Sequence, residues 1–352
     1  MGRPAPRWQP PAAGPRRALG GWHARIPPGL ADMMVASLLF ALMGAMVKAV
    51  EATLPVSWAV FARSAIGLAL SLWLVRRAGL SWRGNRPALL AVRGAIGFSA
   101  LVCTFHSLSL LPLADAVVIQ QTHPIWTAIL ARIFLKERAG GRVIAATAMA
   151  LAGVVLVVKP AFLGFEHAGT GQAGGPTGIA ALDPLGVGLA LLGAVLSAGA
   201  YVSVRALRRT DDARVVVFWF AFVATPLSAV ALGVDLATSA PHAWPGLEEL
   251  GLLLGIGVAV QGAQLLMTRA LHREPAGRVA AVGYLQVVYA FALGTVFFGE
   301  SLGWISLAGT ALIIGGALLA IRSRPGEAGP PTDPSVARAS VQTTLDSAPR
   351  LG

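Results

Sequence analysis

Cysteine occurs once in 352 residues, at Cys103 within an apolar run, so the chain can form no intramolecular disulfide and no cysteine-based structural zinc site. Charge is scarce too: 12% of residues are charged against 55% hydrophobic, and mean hydropathy is +0.69. No soluble core needs that much apolar surface, and the composition points to a membrane. A Walker loop, a Gly-x-Ser-x-Gly elbow and a His-Glu-x-x-His motif are all missing, which argues against an ATP-driven pump and leaves no catalytic or cofactor site to name. The histidines, at 23, 106, 123, 167, 242 and 272, are dispersed and give no metal-ligand spacing. Acidic residues number 16 against 28 Lys and Arg, a formal charge of +12 that in a soluble protein suggests nucleic acid. Here the arginines fall between apolar runs, a pattern that orients a membrane protein and implies no nucleic-acid partner.

What is present is a repeat. Residues 134–153, FLKERAGGRVIAATAMALAG, return as residues 297–316, FFGESLGWISLAGTALIIGG. A single ungapped shift of 163 places superposes Phe134 on Phe297, Glu137 on Glu300, Gly140 on Gly303, Thr147 on Thr310 and Gly153 on Gly316. The register holds upstream, pairing Gly94 with Gly257, Leu108 with Leu271, Pro112 with Pro275 and Leu130 with Leu293. Identities that include Glu, Pro, Thr and Phe mark an internal repeat, not a shared richness in Ala and Leu.

Apolar stretches of about 20 residues, the length that crosses ~30 Å of hydrocarbon, alternate with short polar breaks. Ten are predicted, over 30–50, 56–75, 88–111, 114–135, 143–158, 185–204, 215–232, 247–266, 279–298 and 302–321. They must be helices, because an open strand edge leaves backbone groups unpaired in lipid. Five spans per copy is an odd number, so the copies enter the bilayer from opposite sides: an all-α integral membrane protein with ten transmembrane helices in two inverted five-helix repeats. The expected organisation is a disordered N-terminal tail (1–28), the first repeat (29–160), a Gly-rich external linker (161–184), the second repeat (185–322) and a disordered C-terminal tail (323–352). Arginine clusters flank alternate connections, whereas the opposite connections lack Lys and Arg except for Lys159. That asymmetry predicts both termini in the cytoplasm. Arg- and Ala-rich, Lys-poor usage fits the cytoplasmic membrane of a bacterium with GC-rich DNA.

The stretch FHSLSLLPLADAVVIQQTHPIWTAILARIFLKER and its second-copy counterpart RALHREPAGRVAAVGYLQVVYAFALGTVFFGES resemble the EamA-type transporters of the drug/metabolite transporter superfamily. Both follow that group's order of Ala-Leu, Pro-x-Ala, an apolar span with a central Pro, and Phe-x-x-Glu. The first copy has Ser107-Leu108 for Ala-Leu, and the second has Val287 where the first has Pro124. The resemblance implies a secondary transporter that moves a small organic metabolite, amino-acid-like or related, outward by alternating access. A nucleotide-sugar-type carrier, or a membrane-embedded enzyme acting on a lipid or acyl substrate, are the alternatives. Cys103 and His106 on one helix face give the enzyme only weak support. Membrane lipid is the expected surrounding partner.

Polar groups inside the spans are costly and therefore informative. Arg63 lies deep in the second span; it either anchors a substrate carboxylate or phosphate or bonds structurally to carbonyls. Arg93 is two turns from its helix end and is expected to snorkel. In the fourth span Gln120, His123 and Thr127 share a helical face, and Pro124 frees the Gln120 carbonyl and should kink the helix. His123 is either a proton carrier for coupled transport or a neutral donor to a neighbouring helix. The repeat sets Gln286 opposite His123, Tyr284 opposite Gln121 and Tyr289 opposite Trp126, while Gln261 and Gln264 share a face of the eighth span. Arg63, Gln120, His123, Trp126, Gln261, Gln264, Tyr284, Gln286 and Tyr289 are the candidate substrate residues. Gly251 and Gly255 are expected to admit close helix packing. Glu137 and Glu300, at equivalent span ends, are expected to fasten the following helix by capping its N–H groups.

Overall fold

The computed structural model describes residues 26–137, 139–159, 163, 182–238, 244–298 and 303–323. Almost all of both expected tails and of the Gly-rich linker lies outside them, as does Glu300. The described residues hold twelve helices and no strand: α1 (Pro28–Val50), α2 (Val56–Arg77), α3 (Pro87–Leu110), α4 (Leu113–Gln120), α5 (His123–Leu135), α6 (Gly141–Val158), α7 (Pro184–Leu207), α8 (Ala213–Thr238), α9 (Leu247–Arg273), α10 (Ala276–Gly283), α11 (Leu285–Phe298) and α12 (Trp304–Arg322). Several starts are set by proline in the first turn, where its missing N–H costs nothing, as in α1, α3 and α7. Asp183 caps α7 by accepting from Leu185 N at 2.7 Å and Gly186 N at 3.0 Å.

Nine helical stretches among the described residues are long and apolar enough to cross a bilayer, with α10 and α11 counted as one. The tenth span, expected as one kinked helix over 114–135, is instead divided into α4 and α5 at Gln121 and Thr122. Pro124 cannot donate to the Gln120 carbonyl, so the helix ends there and restarts with the proline in its first turn. Its repeat counterpart is interrupted at the equivalent place, Tyr284, without a proline. The break therefore belongs to the fold and does not depend on that one residue.

Helix pairing follows the inverted repeat. α1 packs on α9 as α7 packs on α3; α2 on α9 as α8 on α3; and α1 on α11 as α7 on α5. α2 with α8 and α6 with α12 are their own images. The α6–α12 contact is backbone to backbone. A Cβ added at Gly153 would lie 2.5 Å from the Gly309 carbonyl oxygen, and one at Gly316 2.7 Å from the Ala146 carbonyl oxygen. The shift of 163 carries the first contact onto the second, because Gly316 corresponds to Gly153 and Gly309 to Ala146. Without a hydrophobic drive between helices in lipid, such small-residue contacts supply the association. Of the pair Gly251 and Gly255, only Gly255 is closely approached, by Met46, whereas Gly251 faces open space. Large apolar side chains such as Phe134, Val230 and Trp304 stand exposed on the outside, as a hydrocarbon solvent allows.

Candidate functional site

Arg63, Gly67, Leu74 and Arg77 fall on one face of α2 by helical spacing. The end of that face lines a cavity of about 1420 Å³. Its other walls are Arg208, Arg209 and Arg214 around the α7–α8 turn and Leu265, Arg269, His272 and Arg273 on α9. This side of the molecule is the arginine-rich face. Burial first, then the charge of Arg205, hold the Arg208 guanidinium below its usual pKa, against the opposing pull of Glu137.

Inward from the vestibule, α2 and α9 close on each other. Gly67 sits against Gln261, whose Oε1 would be 3.3 Å from an added Cβ, and Gly257 is pressed against Ile66, at 2.6 Å. Gln261 lies one turn inward of Leu265, and Arg63 one turn beyond Gly67, on the far side of the constriction. Arg63 is half-buried and makes no hydrogen bond or ion pair with any described residue. At the opposite face, the start of α2 is tied to the end of α8 by Ser57 Oγ, which donates to Asp235 Oδ2 at 2.6 Å. Trp58 and Trp244 meet edge to face there, 5.9 Å between centroids. Among the described residues the vestibule lies at the arginine-rich face, where Arg273 Nη1 also meets Asp32 Oδ2 of α1 at 2.8 Å.

The broken span faces α7. Gln120 Nε2 donates to Ser197 Oγ at 3.2 Å. The His123 ring meets Tyr201 edge to face, 5.6 Å between centroids. Thr127 is not part of this polar face: it is fully buried and donates to the His123 carbonyl at 2.9 Å. Tyr284, 1% exposed, donates its hydroxyl to the Gln121 carbonyl at 2.8 Å. Tyr289 packs against the main core, while Trp126 and Gln286 are half-buried and hydrogen-bond to no described residue. The nine candidates thus do not form one cluster. Arg63 and Gln261 lie along α2 and α9, Gln120 and His123 against α7, and Tyr284 at the contact between the two breaks.

Two expectations are corrected. The Glu137 carboxylate does not bond to the start of α6. It crosses to the second half, binding Arg205 Nε at 2.8 Å and accepting from Ala276 N at 3.2 Å at the start of α10. The buried Arg205 is the stronger attractor, and it also donates to the Leu271 and His272 carbonyls. Arg93 does not snorkel: it is 2% exposed and turns inward over the Phe220 ring, 4.6 Å from its centroid, toward Gln264 Oε1 at 3.4 Å. Its distance from the helix end suggested an exit to water, but its direction around the helix points to α8 and α9. Tyr201, Ser197 and Gly67 were also missed. Nothing in the sequence separates them from ordinary helix-packing residues.

Ten apolar spans in inverted halves, with a polar vestibule between them, define a multi-pass membrane transporter. The EamA-like transporter family model matches residues 28–159 and 184–322, one match per repeat, and the chain belongs to that family. A relative named pseudopaline exporter CntI, from Pseudomonas aeruginosa (strain UCBPP-PA14), is 32% identical over 298 residues, covering 85% of this chain and 97% of its own. Solute carrier family 35 member G1 of Mus musculus is 29% identical, covering 81% of this chain and 76% of its own. One solved crystal structure superposes with a TM-score of 0.68 at 22% identity, covering 83% of this chain and 96% of that one, a likeness of fold.

Proposed function

We propose that the protein is a secondary carrier that exports a small, carboxylate-bearing organic metabolite from a bacterial cytoplasm. On this reading the arginine-rich face and both termini are cytoplasmic, in accord with the positive-inside bias. The observation that carries the proposal is the arginine-lined vestibule between the halves. Arg77 of one half and Arg208 and Arg273 of the other line a vestibule, bridged at its rim by Arg273 and Asp32, while Ser57 and Asp235 join the halves at the opposite face, an arrangement that suits an alternating-access carrier receiving its solute from the arginine-rich side. Arg63, beyond the Gly67–Gln261 constriction and without a partner among the described residues, is the anion contact after the solute has passed inward. Similarity to a protein named as an exporter supports the outward direction. Proton coupling is assigned to His123, the imidazole at the α4–α5 break.

The test is release from proteoliposomes loaded with a small-molecule extract of bacterial cytosol, followed by mass spectrometry of the medium. The carrier reading expects at least one carboxylate metabolite to leave at unchanged mass, only when protein is present. A product of altered mass would mean an enzyme, and no protein-dependent release would contradict the reading.

A further inference from the structure

Three arginines are fully buried among the described residues, and they are not alike. Arg205, 5% exposed, is met by Glu137 and by the Leu271 and His272 carbonyls. Arg278, 4% exposed, is met by Glu274 at 2.8 Å and by the Ala320 and Ile321 carbonyls at 2.9 and 2.6 Å. Arg93 is the most deeply buried of the three, yet its Nε and Nη1 have no acceptor, and its one hydrogen bond, to Gln264, is long at 3.4 Å. One turn along α9 from Gln264, the Gln261 Nε2 donor is also buried without a partner. A buried charge left unpaired is expensive, and this fold has shown twice that it can supply acceptors where an arginine is structural.

The surroundings make room for the guanidinium without satisfying it. Phe220 offers a ring face, which attracts the cation and accepts none of its in-plane N–H bonds. Gly97 leaves a gap where an added Cβ would stand 2.5 Å from Arg93 Nη1. The repeat adds a second line of argument. Under the shift of 163 the positions equivalent to Arg93, Gln261 and Gln264 are Ile256, Phe98 and Leu101, so the other half holds no copy of this donor set. An asymmetric donor set suits an asymmetric solute.

The structure assigns Arg93, with Gln261 and Gln264, as an oxyanion subsite that takes a carboxylate group of the solute between α2, α3 and α9. It deepens the carrier reading above and rests on it: the vestibule admits the solute, and this subsite requires it to carry a carboxylate. Unpaired guanidinium and amide N–H groups call for a ligand with acceptors only, and a carboxylate offers two oxygens to the planar fork.

The experiment is nitrogen-15 NMR on the full-length protein in lipid nanodiscs, labelled at arginine and glutamine, with acetate as the probe. Acetamide and sodium chloride, at matched concentration and ionic strength, are the comparison arms. Arg93→Lys identifies the Arg93 Nε–H signal; Phe220→Leu, which removes the ring current over it, identifies it should the lysine variant not fold. The expected result is a saturable shift of the Arg93 and Gln261 side-chain signals with acetate alone, while Arg205 and Arg278 stay in place. Gln261→Leu, which leaves no buried charge behind, should weaken acetate binding about tenfold. The assignment is overturned by an Arg93 signal that acetate does not move, that acetamide or chloride moves equally, or that moves only in parallel with Arg205 and Arg278. Acetate binding here with no protein-dependent release from proteoliposomes would keep the subsite and remove the carrier reading.

Discussion

The Tyr284 hydroxyl donates to the Gln121 carbonyl at 2.8 Å, and these two residues are separated by 163 positions, the shift that superposes the two repeats. A residue that touches its own repeat counterpart lies on the axis relating the halves. Both belong to the interruptions of their spans, so the two breaks meet at the centre and one half satisfies backbone that the other exposes. Tyr284→Phe leaves the Gln121 carbonyl without its donor and should destabilise the protein by about 1–3 kcal/mol. A lowered unfolding temperature in detergent checks this; an unchanged one would deny the contact.

Glu137 joins the halves near the arginine-rich face. Removing its charge strands a buried guanidinium, so Glu137→Gln should cost about 3 kcal/mol. Replacing both partners, as Glu137→Gln with Arg205→Met, should cost less than the two single changes added together. Equilibrium unfolding in mixed micelles gives the cycle, and strict additivity would count against a direct pair.

The α6–α12 contact has no room for a side chain. Gly153→Val should disrupt folding, by about 1–3 kcal/mol or more, whereas Gly251→Ala, which meets nothing within 4 Å, should be neutral or slightly stabilising. Fluorescence size-exclusion profiles separate the two outcomes.

Arg77 and Arg209 line the vestibule, and neither has a carboxylate partner among the described residues. Their joint replacement by Gln should slow solute entry from that face roughly threefold to tenfold at low ionic strength, with little effect at high salt. A slowing that salt does not erase would place these residues in another role.

His123 carries the coupling assignment. A pH gradient that accelerates flux through the wild type should leave flux through His123→Gln unaffected, the variant transporting without it. Equal acceleration of both would release His123 from that role and leave it as a packing partner of Tyr201.

Periodicity made the scaffold legible in the sequence, because a bilayer fixes span length and one ungapped shift aligns the halves. Pro124 foretold an interruption, though not a full break, and nothing foretold the break at Tyr284, which lacks a proline. Side-chain direction was the illegible part. Arg63 was recognised by depth, but Arg93 was misread because depth does not say which neighbour a residue faces around its helix. Glu137 was legible as a fastener at a span end, yet its partner Arg205 is 68 positions away and in the other repeat. Only packing brings them together.

The account rests on a carrier that opens to one face while it is closed at the other, and locking the closed side tests it most directly. In a Cys103→Ala background, Ser57→Cys and Asp235→Cys are joined by oxidation, and flux of the carboxylate solutes that the unlocked protein carries is measured in proteoliposomes. The account predicts that oxidation abolishes flux, that reduction restores it, and that the vestibule residue Leu74→Cys stays open to maleimide from the arginine-rich side throughout. Undiminished flux through the cross-linked protein would contradict it.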